Sequence, residues 1–310
     1  MRRLALLLCL AALGARAQAP ETAFTLDDRA FAAEGIALLP DSSFAVGSVH
    51  LGTIVRVDGD GRVTPFAEAP GRWSVLGMTV SPDRRSLWAA TVAWPQARGA
   101  DTTAHGRTAL VRFDLATGAV QGRIETTGAL GDVTVGPDGA VYATDGLAGT
   151  VRVLDGDSLR TLVPRGVLHS PQGLAFGRDP SRLFVVDYRY GLVAVDVRTG
   201  GVTLVPHVPG VEDRGADGLV YAGGTLYAVQ NGVQPHRVAR WRLSPDEARV
   251  VEADVLASAE GDDRFDEPTL AAVAGPWLYV VSASGWAHFS DDGTLDVEAA
   301  PVPTVLRIPR

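Results

Sequence analysis

Six times along its 310 residues the chain repeats one pattern, at intervals of about 45 residues. A small or polar pair opens an alternating apolar strand, a turn of Asp, Gly and Pro follows, and a strongly apolar strand comes next. The copies read EGIALLPDSSFAVGSVH from Glu34, LGMTVSPDRRSLWAATVA from Leu76 and GDVTVGPDGAVYATDG from Gly131. They continue with PQGLAFGRDPSRLFVVDY from Pro171, DGLVYAGGTLYAVQNG from Asp217 and PTLAAVAGPWLYVVSASG from Pro268. Third strands align as TIVRVD, ALVRFD, TVRVLD, LVAVDV, RVARWRL and TVLRIP, and a fourth, more exposed strand completes the unit. Period-2 alternation rich in Val, Tyr, Phe and Trp predicts strands throughout, and no stretch reads as an amphipathic helix. The turns PDG, DPS and AGG supply residues suited to tight antiparallel hairpins.

The expected fold is therefore all-β: a six-bladed β-propeller of four-stranded antiparallel blades, in one domain spanning 18–310. The sixth unit runs out after its third strand at Arg310, while the strand-like AFTLDDRAF near the start belongs to no unit. An N-terminal strand is thus expected to complete the last blade, closing the ring and removing two free sheet edges. WD and kelch signatures are absent.

Residues 1–17 are expected to be a cleaved signal peptide. Arg2 and Arg3 form a positive start, Leu4 to Leu13 an apolar core, and Ala15-Arg16-Ala17 a small-x-small cleavage signal. Cys9 follows Leu8, where a lipoprotein site needs a small residue. The expectation is a periplasmic or secreted protein without a membrane anchor after cleavage, and no later stretch is long and apolar enough for a membrane helix. Loss of Cys9, the only cysteine, leaves no thiol for disulfides or zinc-thiolate sites. Loss of Arg2, Arg3 and Arg16 moves the net charge from −8 to −11, against nucleic acid as a partner. The chain has no Lys, which rules out Schiff-base chemistry.

In a propeller the first strand of each blade lines the central channel. The loops entering it open on the same face as those joining strands two and three. The residues at the channel entrance are Glu34, Leu76, Gly131-Asp132, Gln172, Asp217 and Glu267-Pro268. Carboxylates converging there repel one another and lose hydration. A hard divalent cation relieves both costs, with calcium the best match and Zn2+, Mg2+ or Mn2+ as alternatives. The plainer reading is that each polar group caps a strand start or bonds channel water. The ends of the second strands bring His50, Asp145, Asp187, Tyr188 and Gln230-Asn231 to the same face, with His236 close behind. Two insertions, WPQARGADTTAHGR in blade two and WAHFSDDGTLDVEAAPVP in blade six, are expected to rim the pocket. Trp94, Tyr188 and Trp286 would wall a ring-shaped ligand, or else pack between blades. VDGDGRV and LDGDSL lack the distal Glu of an EF-hand and read as hairpins. No zincin, nucleophile-elbow, P-loop or dinucleotide motif occurs.

On these segments the layout resembles the family of regucalcin (senescence marker protein), gluconolactonase and luciferin-regenerating enzyme, across nearly the whole mature chain. More distantly it is similar to paraoxonase-type and strictosidine-synthase-like propellers. The resemblance of EGIA implies a metal ligand at Glu34, that of PQGLAF one at Gln172, and that of ADGLVY one at Asp217, also a general-base candidate. GDVTVGPDG keeps Asp132 of an Asn-Asp pair, with Gly131 in the Asn place, and Gln172 stands where the family carries Asn. The function implied is an exported gluconolactonase-like metallo-hydrolase of a lactone or related ester, with Asp132 or Asp217 handling the proton. Substrate contacts are expected from His50, Trp94, Asp145, Tyr188, Asn231 and Trp286. The alternative is a non-catalytic propeller that binds a sugar, peptide or protein on the same face.

Overall fold

The computed structural model describes residues 19–310, so the expected leader and its cleavage site lie outside the described residues. Six four-stranded antiparallel sheets carry the chain, numbered here as blades 1 to 6 in chain order. Their innermost strands are Ala33–Leu38, Ser74–Val80, Leu130–Val135, Pro171–Phe176, Ala216–Ala222 and Ala271–Ala274. Each touches the innermost strands of the blades before and after it, and the sixth touches the first, so the ring is closed.

Closure follows the expected route. Glu21–Thr25 pairs antiparallel with Thr304–Pro309 and becomes the outer strand of blade 6. An ion pair between Arg307 and Glu21, at 2.6 Å, fastens the two ends of the chain to each other. The only helical pieces among the described residues are four three-residue 3-10 turns, Arg29–Phe31, Pro70–Arg72, Thr102–Ala104 and Trp286–His288. None of the described helices is long and apolar enough to cross a membrane.

The strong apolarity of the second strands has a physical cause. Flanked by neighbouring blades on both faces, Phe44–Ser48 and Ser86–Ala93 are buried along their whole length. The cores lie between blades: Trp73, Leu87 and Phe113 fill one interface, and Phe184, Leu226 and Trp241 another. Near the axis the strands crowd. A Cβ on Gly35 would stand 2.1 Å from the Leu76 carbonyl oxygen, and one on Gly173 would stand 2.4 Å from the Leu219 nitrogen. The glycine that follows the entrance residue in four of the repeats is thus what lets adjacent inner strands approach.

Candidate active site at the channel mouth

The entrance residues are aimed by a shared backbone device. In blades 1 to 5 the pairing of first and second strands slips close to the entrance residue, between Ala33 and Ile36, Val75 and Met78, Leu130 and Val133, Pro171 and Leu174, and Ala216 and Gly218. A bulge of this kind bends the strand and re-aims its side chains. Here the residues beside it face one cavity of about 220 Å³, lined by Glu34, Leu76, Gly131, Asp132, Gln172, Asp217 and Glu267 together with Trp94, Tyr188, Asn231 and Trp286.

Four of these residues are carboxylates, and no Arg or His lines the cavity. Glu34 is buried, and its Oε2 accepts a hydrogen bond from Trp286 Nε1 at 2.5 Å. Burial holds its pKa well above the ordinary value, reinforced by the negative charge of Asp217 and opposed by the Trp286 bond. Asp217 accepts from Asn231 Nδ2 at 2.8 Å, while Asn231 Oδ1 accepts from the Tyr188 hydroxyl. Burial lifts the Asp217 carboxyl to about 7 against the Asn231 bond, and the charges of Asp132 and Glu267 add to the lift. The same burial and the charge of Asp217 push the Tyr188 phenol upward, so it stays a neutral donor.

Asp132 occupies the position that is glycine in four of the other repeats. It accepts from the Val133 nitrogen at 2.8 Å and from that of Leu174, and burial raises it to about 7. It forms a waist, because it also borders a second cavity of about 320 Å³ along the channel. Glu267 adopts a left-handed backbone, φ 49°. Its peptide is pinned where Ser284 Oγ donates to the Glu267 carbonyl oxygen at 2.7 Å. Burial and Asp266 raise its carboxyl, with His288 opposing.

Trp94 and Trp286 meet edge to face at 5.6 Å. Trp94 is anchored through Nε1 to Ser74 Oγ at 2.6 Å. The insertions that carry these two rings also touch elsewhere, since a Cβ on Gly293 would fall 2.3 Å from the Pro95 carbonyl carbon. They rim the mouth as expected.

Two residues expected to face the ligand do not line the cavity. His50 is buried with Nδ1 2.7 Å from the Gln96 carbonyl oxygen and its ring 5.6 Å from Phe289, tying the two insertions to blade 1. Burial lowers its pKa, with the Gln96 bond opposing. Asp145 is also buried, accepting from the Ala148 nitrogen at 2.9 Å and pairing with Arg152 at 3.4 Å. Asp187 likewise spends its oxygens on four backbone N–H groups, of His169, Ser170, Arg189 and Tyr190. These strand-end carboxylates fold loops. His236 and Gln230 are also outside the lining, whereas Ser170 and Leu147 belong to it without any sequence signal.

The donor set suits a hard cation in kind: carboxylates of Glu34 and Asp217 with the amide oxygen of Gln172. Among the described residues no three His, Cys, Asp or Glu side chains are gathered into a metal-holding group.

Fold and mouth together define a six-bladed β-propeller with an acidic cavity at one end of its channel. No protein-family model and no curated protein matches the chain. Solved structures do. An aldose sugar dehydrogenase from Streptomyces coelicolor, in its PQQ-bound form, superposes with a TM-score of 0.64 at 20% identity, covering 95% of this chain and 98% of that one. A gluconolactonase from Xanthomonas campestris gives 0.61 at 18%, over 92% and 88% of the two chains. The calcium-binding protein regucalcin from Agrobacterium tumefaciens gives 0.60 at 16%, over 93% of each. Regucalcin and gluconolactonase propellers, the group that the sequence motifs resemble, are thus among its structural neighbours, and at these identities the shared property is the fold.

Proposed function

We propose that this chain is an exported hydrolase of lactonase type that works with a divalent cation, calcium by preference, on a lactone or related ester. The observation that carries the reading is four carboxylates and the Gln172 amide around a single cavity without a cationic side chain to balance them. Glu34, Gln172 and Asp217 are the residues that would hold the ion. When bound, such an ion polarises an ester carbonyl as a Lewis acid.

The chain's own groups supply the rest. Trp94 and Trp286 give an apolar wall against which a ring can lie. The Tyr188–Asn231–Asp217 chain of hydrogen bonds fixes the Asp217 carboxyl. Asp132, raised to about 7 and outside the set that would hold the ion, is matched to take a proton from water at neutral pH and return it to the departing alkoxide. An anionic hydroxy-acid product would be repelled by the remaining carboxylates. The sugar dehydrogenase likeness suggests a redox reading, but an acidic lining suits an anionic quinone poorly.

Metal analysis after dialysis against calcium, with a screen of lactones and aryl esters, tests the proposal. Stoichiometric metal and turnover that disappears in Asp217→Ala are expected. Undiminished turnover in that variant refutes the mechanism, and metal without turnover favours a binding module on the same face.

A further inference from the structure

Gln172 is the one neutral oxygen donor in the proposed set, and its side chain sits in a space kept open by Gly146. A Cβ on Gly146 would come within 2.8 Å of Gln172 Nε2, and one on Gly131 would lie 3.6 Å from Gln172 Oε1. Gly146 follows the second strand of blade 3, Val141–Asp145, and Gly131 is the second residue of the first, Leu130–Val135. The long amide of blade 4 therefore reaches across into the neighbouring blade, over backbone that carries no side chain.

Its nitrogen has a partner there. Nε2 donates to Ser170 Oγ at 3.0 Å, and among the described residues no donor bonds Oε1. Ser170 is itself held: its nitrogen donates to Asp187 Oδ2 at 2.9 Å, and its carbonyl accepts from the Tyr188 nitrogen at 3.0 Å. Asp187 is fully buried. An amide has two chemically opposite ends, and a cation can use only the oxygen. A hydroxyl on a rigid loop that takes the nitrogen end leaves the oxygen for the cavity.

We propose that Ser170 and Gly146 form a seat that presents the Gln172 carbonyl oxygen to a bound divalent cation, with Ser170 as a positioning residue that holds the amide nitrogen away from the ion. The seat rests on the metal reading above. Residues that orient a ligating group typically change metal affinity by about 10- to 100-fold when removed.

Isothermal titration with calcium chloride on the purified chain is the test, because it needs no substrate. Ser170→Ala and Gly146→Ala are each expected to weaken calcium binding at least about 10-fold. The one close approach of Gly146→Ala is to the far end of a flexible side chain, with the Pro171 carbonyl oxygen at an ordinary 3.4 Å, so circular dichroism and melting temperature should stay near wild type. Ser170→Thr, which keeps the hydroxyl, should restore the affinity lost in Ser170→Ala. Gln172→Glu, which keeps an oxygen and adds charge, should bind calcium at least as tightly as wild type. Affinity within twofold of wild type in both Ser170→Ala and Gly146→Ala overturns the seat alone. So does a collapse of binding in Gln172→Glu. Wild-type protein that binds no calcium overturns the metal reading and the seat together.

Discussion

At the scale of single residues the molecule places groups of like charge where water is scarce, and this has a pH signature. Burial raises Asp132 and Asp217 to about 7 in the folded chain, against the ordinary aspartate value of about 3.9 when unfolded. Between those values the native state binds more protons than the unfolded one, so stability falls as pH rises through that window. The hairpin carboxylates Asp114, Asp196 and Asp292 are shifted the other way by hydrogen bonds, so their contribution is lost only on acidification through their low pKa values. Chelator-treated protein is therefore expected to melt at a lower temperature at pH 8 than at pH 5, and calcium should flatten the slope; scanning calorimetry across that range checks it. Glu267 gives a second prediction. Glycine accepts its left-handed backbone without penalty and removes one charge from the cluster, so Glu267→Gly should raise the melting temperature by roughly 2 °C. A fall in melting temperature would contradict the strain argument. Glu34, Gln172 and Asp217 were legible because their place follows from the repeat. His50 and Asp145 were misplaced because a residue at a strand end can turn to its loop or to the channel, and the loop's own hydrogen bonds decide. Nothing in the letters of Glu267 announces a positive φ.

Among elements the six inner strands were the most legible, since alternation and turn residues fix both period and direction. What the pattern hid was the role of the glycine after the entrance residue, which reads as a weak strand position and is a contact between blades. Gly35→Ala would force its Cβ against the Leu76 carbonyl, in backbone that has no room to yield. Overpacking of this kind costs roughly 1–3 kcal/mol. Urea denaturation should show a lower midpoint with an unchanged slope. Gly122→Ala, at a strand position with nothing within 4 Å, should stay within about 0.5 kcal/mol of wild type. The insertions of blades 2 and 6 were recognisable by their length, but their mutual packing through Trp94, Trp286 and the Pro95–Gly293 contact was not. Contacts between segments nearly two hundred residues apart leave no trace in local periodicity.

Across the whole molecule, closure was readable from arithmetic: five complete units, one short by a strand, and one spare strand at the other end. Its energetic weight can be measured. Deleting residues through Thr25 uncovers the edge of Thr304–Pro309, whose N–H and C=O groups would then invite pairing with another chain. The truncated protein is expected to melt lower and to elute as larger species in size-exclusion chromatography with light scattering. A monomer of unchanged stability would show that the outer strand is dispensable. The same closure also fixes where the chain ends. The Arg310 nitrogen donates to the Pro276 carbonyl oxygen at 3.2 Å, and Pro276 sits in the turn after the inner strand of blade 6, at the end of that strand remote from the mouth. A linker fused after Arg310 therefore leaves from the underside. Molecules tethered to a bead or electrode through it would all stand with the acidic mouth turned to the solution, a uniform orientation for a sensor or a flow reactor.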